Sequence, residues 1–302
     1  MQNRDPDAHD HVPALVLGAV VDALEALWPT ADAADWDRVG LVTGDLGQPV
    51  RRILFALDPT LAVIEEARAW GADLLVTHHP LLLRGVHSVA TTSAKGASVT
   101  GLVRAGCALY VAHTNADVAD PGVSTVIADA LGLTAQRPLT EIGMRGAGRV
   151  GELGEALSLA AFADLLVEAL PATAGGVRVS GPGSATVRRV AVMGGSGDDQ
   201  FEAARACGAD VYVTADLRHH PVLEAREEAR DGTPYVIDAG HWAMESLWLA
   251  TAREQLLSAL GEQPTSGAAP TRVEGRLSEL RTEPWTFVAG ANRARPETGG
   301  VS

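Results

Sequence analysis

Cysteine is nearly absent from this chain. Cys107 and Cys207 are the only two in 302 residues, with no CxxC pair. That excludes a disulfide framework and a Cys-rich structural zinc shell, and the pair reads as small buried residues of a reduced, cytoplasmic protein. Long apolar runs are missing as well. No stretch reaches the roughly 20 residues that span a bilayer, and residues 1–12 are too polar for a signal peptide. Positive charge is scarce: lysine occurs once, at Lys95, and 24 basic residues face 38 acidic ones, for a formal net charge of −14. Such a surface repels nucleic acid and anionic membrane, so neither is expected as a partner. Nor is there a P-loop. The glycine-rich "MGGSGDDQ" (193–200) lacks the closing Lys-Ser/Thr, and its two aspartates would repel a phosphate, so a tight turn between strand and helix is expected there.

What is present is a hydrophobic fraction of 46%, enough for a core in one large or two modest domains. Apolar residues at helical spacing predict a helix over 14–28. "RRILFALD" (51–58) reads as a strand, and "TLAVIEEARAWG" (60–71) as a helix stopped by Gly71. "ADLLVT" is the next strand, followed by a helix in "SAKGASVTGLVRAG" and a strand in "CALYVAHT". This alternation is that of an α/β fold with a parallel or mixed sheet.

The chain also repeats itself. Residues 51–77 align without gaps to residues 188–214, with about 11 of 27 positions identical, including both Gly-Ala-Asp triplets. Each copy is followed by a histidine pair before proline, "HHP" and "LRHHP", and later by a strand and a further histidine. The expectation is two related α/β halves from an internal duplication, facing each other around a metal site. Residues 1–140 form the first half, with 234–288 packing back on it, and 141–233 the second. A spacer at 262–271 and a tail at 289–302 are expected to be flexible.

Three clusters could carry chemistry. His78-His79 ends a buried strand, where α/β folds place their sites. "HTNAD" (113–117) and "GHWAME" (240–245) each set a histidine four residues before a carboxylate, one helical turn apart. Imidazole with carboxylate and no thiolate is the ligand set of Zn, Mn, Fe or Ni hydrolytic sites. Any one cluster alone is better explained by a surface pair or a hydrogen-bonded structural pair. Three of them after strands, in a chain of nine histidines, favour metal. His219-His220 either line the same cleft or sit on a surface loop.

Taken together, "ADWDRVGLVTGD", "GADLLVTHHPLLLRG", "AHTNADVADPGV", "GADVYVTADLRHH", "IDAGHWAMES" and "TEPWTF" resemble the GTP cyclohydrolase 1 type 2 homologues, the Nif-three-like dinuclear metal-binding family. The resemblance implies two divalent transition-metal ions per chain held by His78, His79, Asp117, His241 and Glu245, with His113 beside them. It also implies a ring-shaped homohexamer. Three positions depart from the family pattern: Arg38 for Asn, Thr214-Ala215-Asp216 for Thr-Gly-Glu, and Met244 for Thr.

The function implied is a two-metal hydrolase acting on a small molecule such as a nucleotide. In the GTP cyclohydrolase-type reaction the guanine imidazole ring opens and formate is released, with His113, His219 and His220 as candidate proton carriers. The alternative is a non-catalytic metal-binding regulator or metal carrier, which would use the same ligands.

Overall fold

The computed structural model describes residues 14–142, 145–261 and 273–290. The flexible spacer expected at 262–271, and all but the first two residues of the expected tail, lie outside them.

Two mixed sheets form the frame. The first has the strand order Glu274–Leu277, Arg52–Ala56, Leu74–Thr77, Ala108–Val111, Gly40–Thr43. Its first four strands run parallel, and Gly40–Thr43 closes the edge antiparallel. Leu74–Thr77 is central and buried throughout, as its unbroken apolar run predicts. Each fully buried Leu or Val there contributes about 1.5–3 kcal/mol. The second sheet has the order Arg178–Ser180, Tyr235–Asp238, Val211–Ala215, Thr186–Ser196, Arg149–Ser158, Thr134–Arg137; Tyr235–Asp238, Val211–Ala215 and Thr186–Ser196 run parallel to one another and the remaining pairings are antiparallel. The boundaries expected at 140 and 233 therefore do not coincide with the sheets. Thr134–Arg137 and Tyr235–Asp238 both pair in the second sheet, whereas Glu274–Leu277 returns to the first.

The repeated segments fold alike. Ile53 pairs with Leu74 in one parallel register and Val190 with Val211 in the other, the same positions of the sequence repeat. The Gly-Ala-Asp triplets explain why. Gly71 and Gly208 take left-handed φ values of +72° and +70°, which end the preceding helix. Ala72 and Ala209 are buried. Asp73 then accepts the N–H groups of Arg51 (2.7 Å) and Arg52 (2.9 Å), and Asp210 those of Arg188 (2.9 Å) and Arg189 (2.8 Å). Each aspartate fastens the start of one strand to the start of its neighbour.

The helix expected over 14–28 begins later. Leu15–Val16 is a short strand paired with Pro49–Val50, and the helix is Leu17–Leu27. The glycine-rich stretch is not a turn at its start: the Thr186–Ser196 strand runs through Gly194 and Gly195. One continuous core joins the sheets, with Trp28 of the first part packed edge-on against Trp248 at 5.1 Å. Among the described residues no helix is long and apolar enough to cross a membrane.

Candidate metal centre

The expected ligands converge from the carboxyl ends of parallel strands, where an α/β sheet leaves a crevice. His78 and His79 follow Leu74–Thr77. His113 and Asp117 come from the turn after Ala108–Val111, and His241 and Glu245 from the short helix His241–Ser246 that follows Tyr235–Asp238. The His113 turn is held by Asn115, whose side chain accepts the His113 N–H (2.9 Å) and donates to the Trp28 carbonyl (2.7 Å).

Two groups of close nitrogen and oxygen donors result: His78, His79 and His113, and His79, His241 and Glu245. Glu245 Oε2 lies 2.7 Å from His79 Nε2 and 2.9 Å from His241 Nε2, while its Oε1 lies 3.8 Å from His78 Nε2. Asp117 Oδ1 is 3.6 Å from His78 Nε2. His78 is fully buried and Glu245 is 4% exposed.

What suits this cluster to a metal ion is the other nitrogen of each ring. His78 Nδ1 donates to the Ala112 carbonyl (2.8 Å), His79 Nδ1 to Asp58 (2.7 Å), His113 Nδ1 to Asp37 (3.0 Å) and His241 Nδ1 to Asp216 (2.8 Å). A carbonyl or carboxylate only accepts, so every Nδ1 carries the proton and every neutral ring presents an Nε2 lone pair. Nitrogen ligands oriented by carboxylates and carbonyls in this way are the common support of a bound metal. Among the described residues His78 Nε2, Asp117 Oδ1 and Glu245 Oε2 are buried with no hydrogen-bond donor. Buried acceptors left unpaired cost about 1–3 kcal/mol each, a cost a cation would remove. The residues fit divalent ions.

The charges agree. Burial disfavours protonated His79, but its hydrogen bonds and charge contacts with Asp58 and Glu245 outweigh that and raise its pKa from 6.5 to about 9. His241, beside Glu245 and Asp216, rises to about 11 against the same burial penalty. Burial drives Asp117 up, reinforced by Glu245 and partly opposed by His78. Burial pushes Glu245 the same way, yet His78 and His241 hold it well below the usual carboxylate range. The same lone pairs and carboxylates that favour a proton here would favour a metal cation in its place.

Residues 16–267 match the model of the Duf34/NIF3 (NGG1p interacting factor 3) family. The chain belongs to this family. A Streptomyces coelicolor relative named "GTP cyclohydrolase 1 type 2 homolog" is 48% identical over 275 residues, covering 89% of this chain and 93% of that one. A Mycobacterium leprae relative of the same name is 31% identical over 386 aligned positions, covering 92% and 96%. That alignment is longer than this chain, so the relative carries residues that the shorter Duf34/NIF3 chain lacks. The crystal structure of a Bacillus cereus protein related to NIF3 superposes with a TM-score of 0.81 at 25% identity, covering 92% of this chain and 99% of that one.

In this Duf34/NIF3 chain Arg38, Asp216 and Met244 leave the donor set intact. Arg38 folds its guanidinium onto the carbonyls of Asp35 and Asp37, while its N–H donates to Asp37 (2.7 Å). Asp216 is the carboxylate that holds His241, at a φ of +55° that aspartate tolerates. Met244 is buried in the core. Sequence reasoning passed over Asp58 and Asp37 as positioning residues. Their only signal was their place: Asp58 just beyond the strand beside the His78-His79 strand, and Asp37 inside "DWD".

His219 and His220 are not brought to the cluster. They open the exposed helix His219–Glu228, stacked edge-on at 5.1 Å, and His219 lines a separate cavity. A larger cavity of about 1120 Å³ leads to the donors, bounded by His79, Asp216, His241, Trp242 and the C-terminal residues Thr282 to Val288.

Proposed function

We propose that this protein is a dinuclear metal-dependent hydrolase. The observation that supports it is the set of four histidines whose Nδ1 atoms are all engaged, three of which, His78, His79 and His241, turn their Nε2 atoms towards the carboxylates of Asp117 or Glu245. His78, His79, Asp117, His241 and Glu245 would hold the ions, with Glu245 between them because its two oxygens face different histidines. Bound there, divalent ions would acidify a water and polarise the bond it attacks. The chain's own residues do the rest. Asp58 and Asp216 keep His79 and His241 in the liganding tautomer. His113, held by Asp37 and 16% exposed, is placed to move a proton at its Nε2. The cavity of about 1120 Å³ is large enough for a nucleotide, which suits a GTP cyclohydrolase-type reaction, hydrolytic opening of the guanine imidazole ring with release of formate.

The same reading carries two structural proposals. The βαβ units with equivalent registers are the products of a duplication, and their two halves face each other across the metals. The assembly is a cytoplasmic ring-shaped homohexamer, for which light scattering that finds a persistent monomer of 31.4 kDa would count against it. The test of the function is protein loaded in turn with Zn, Mn, Fe or Ni and screened over nucleotides and phosphoesters, with formate measured. Turnover that follows metal content supports the hydrolase. Stoichiometric loading without turnover of any compound would leave the metal-carrier or regulatory reading.

A further inference from the structure

A second cavity, of about 400 Å³, adjoins the one that leads to the metal ligands and shares Arg178, Leu217 and Asp238 with it. The two differ sharply in charge. Besides its histidines, the larger is lined by Asp58, Asp216, Asp238 and Glu283 against one arginine, Arg178. The smaller is lined by Arg178, Arg218 and Arg226 with His219, against one carboxylate, Asp238. In a chain of net charge −14, three guanidinium groups on one small cavity are a local reversal of sign.

That charge is only partly neutralised. Asp238 is already engaged, accepting the N–H groups of Leu217 (3.1 Å) and Gly240 (3.3 Å) and the Arg178 guanidinium. Arg218 pairs with Asp198, which stands outside the cavity lining. Arg226 donates to the Gly232 and Pro234 carbonyls (2.6 and 2.8 Å) and lies over the Tyr235 ring, so among the described residues no carboxylate offsets it. Val179, Val222 and Val236 complete the lining with apolar surface. The helix His219–Glu228 also directs its positive end here, and cations crowded at that end are unfavourable without an anion between them.

We propose that this cavity is an anion subsite for a phosphate-type group. On the hydrolase reading it holds the phosphorylated end of a substrate whose reacting part lies in the larger, acidic cavity. A phosphorylated substrate would then straddle the shared wall, with its charge kept away from Asp58, Asp216 and Glu283. His219 becomes a candidate phosphate contact, not a proton carrier at the metals.

Inorganic phosphate is the probe, titrated by calorimetry into metal-free and metal-loaded protein. Wild type is compared with Arg218→Ala and Arg178→Ala, whose side chains are 74% and 70% exposed and whose folding is checked by circular dichroism. The expected result is phosphate binding by the metal-free wild type, weakened about tenfold in each variant, as loss of a charge-assisted hydrogen bond implies. No binding by metal-free wild type up to about 10 mM would overturn the proposal. So would binding seen only in metal-loaded protein and indifferent to both arginines, which would put the phosphate on the ions. Because the metal-free arm needs neither ions nor turnover, failure of the subsite and failure of the hydrolase are separable.

Discussion

The Nε2 atoms of His79 and His241 stand 3.1 Å apart, although each ring already gives its Nδ1 proton to a carboxylate. In neutral rings two lone pairs would then face each other, with the Glu245 carboxylate beside both. Only a cation relieves that arrangement: a proton in the metal-free protein, a metal ion otherwise.

Glu245→Gln keeps the shape of the side chain and removes its charge. The expected outcome is loss of at least one of two bound ions and of any hydrolytic activity, with an unchanged circular dichroism spectrum, since the core strands do not depend on the metal. Elemental analysis of reconstituted protein measures it. Two tightly held ions in the variant would show that Glu245 does not join them.

Asp58→Asn and Asp216→Asn leave all five ligands in place but weaken their support. Each should lower metal affinity about 10–100-fold, the usual effect of losing a residue that orients a ligating histidine. Competition with a chromogenic chelator reads the change, and an affinity equal to wild type in both variants would contradict the role assigned to these aspartates.

Metal-free stability should fall as pH rises, while the stabilisation that metal adds should grow. In the metal-free protein the folded-state pKa values of His79 and His241 are raised from 6.5 to about 9 and about 11. Their stabilisation is therefore complete below about pH 6.5 and fades as pH rises through 9 towards 11. In metal-loaded protein the ion must displace those protons, so its stabilisation grows over the same interval. Thermal melts at several pH values should show the metal-free Tm falling, and the difference between loaded and metal-free protein widening, from pH 6.5 to 9. Parallel curves would sink the idea that ions and protons compete for these nitrogens.

Gly195 stands against the site at a φ of +66°, and a Cβ there would lie 2.2 Å from Glu245 Oε1. Gly195→Ala should cost more than about 1 kcal/mol of stability and also reduce metal content, because either the backbone or the glutamate must move. Gly154, where an added Cβ meets nothing within 4 Å, supplies the control: Gly154→Ala should change neither. Equal behaviour of the two variants in melts and metal analysis would argue against this contact.

Much of the frame was legible because the signals were local. Thr60 and Ser93 cap helices whose ends are marked by Gly71 and Gly106, and each of those caps is written within a few residues of sequence. The clustered donors were legible through three motifs, each following a strand. Asp58 and Asp37 were not, because a single aspartate has no periodicity, and its meaning depends on which strand lies alongside. The second histidine pair misled for a related reason. It follows the repeated strand four residues later than the first pair does, enough to move it from the strand end to the start of a helix. Likewise the boundary at 140 followed the repeat, whereas Thr134–Arg137 is claimed by the neighbouring sheet through pairing with Arg149–Ser158.

The 162-residue separation between His79 and His241 has a consequence for how the protein is made. Synthesis runs from the amino end, so His78, His79, His113 and Asp117 leave the ribosome long before Glu245 exists. The Glu274–Leu277 strand and Thr282, whose hydroxyl donates to Asp58, come later still. A nascent chain thus carries an incomplete and loosely held donor set, and full affinity arises only when the last segment docks. On the metal reading, capture would be a late event in the life of each molecule, and an ion held tightly would report that synthesis and folding have reached Thr282.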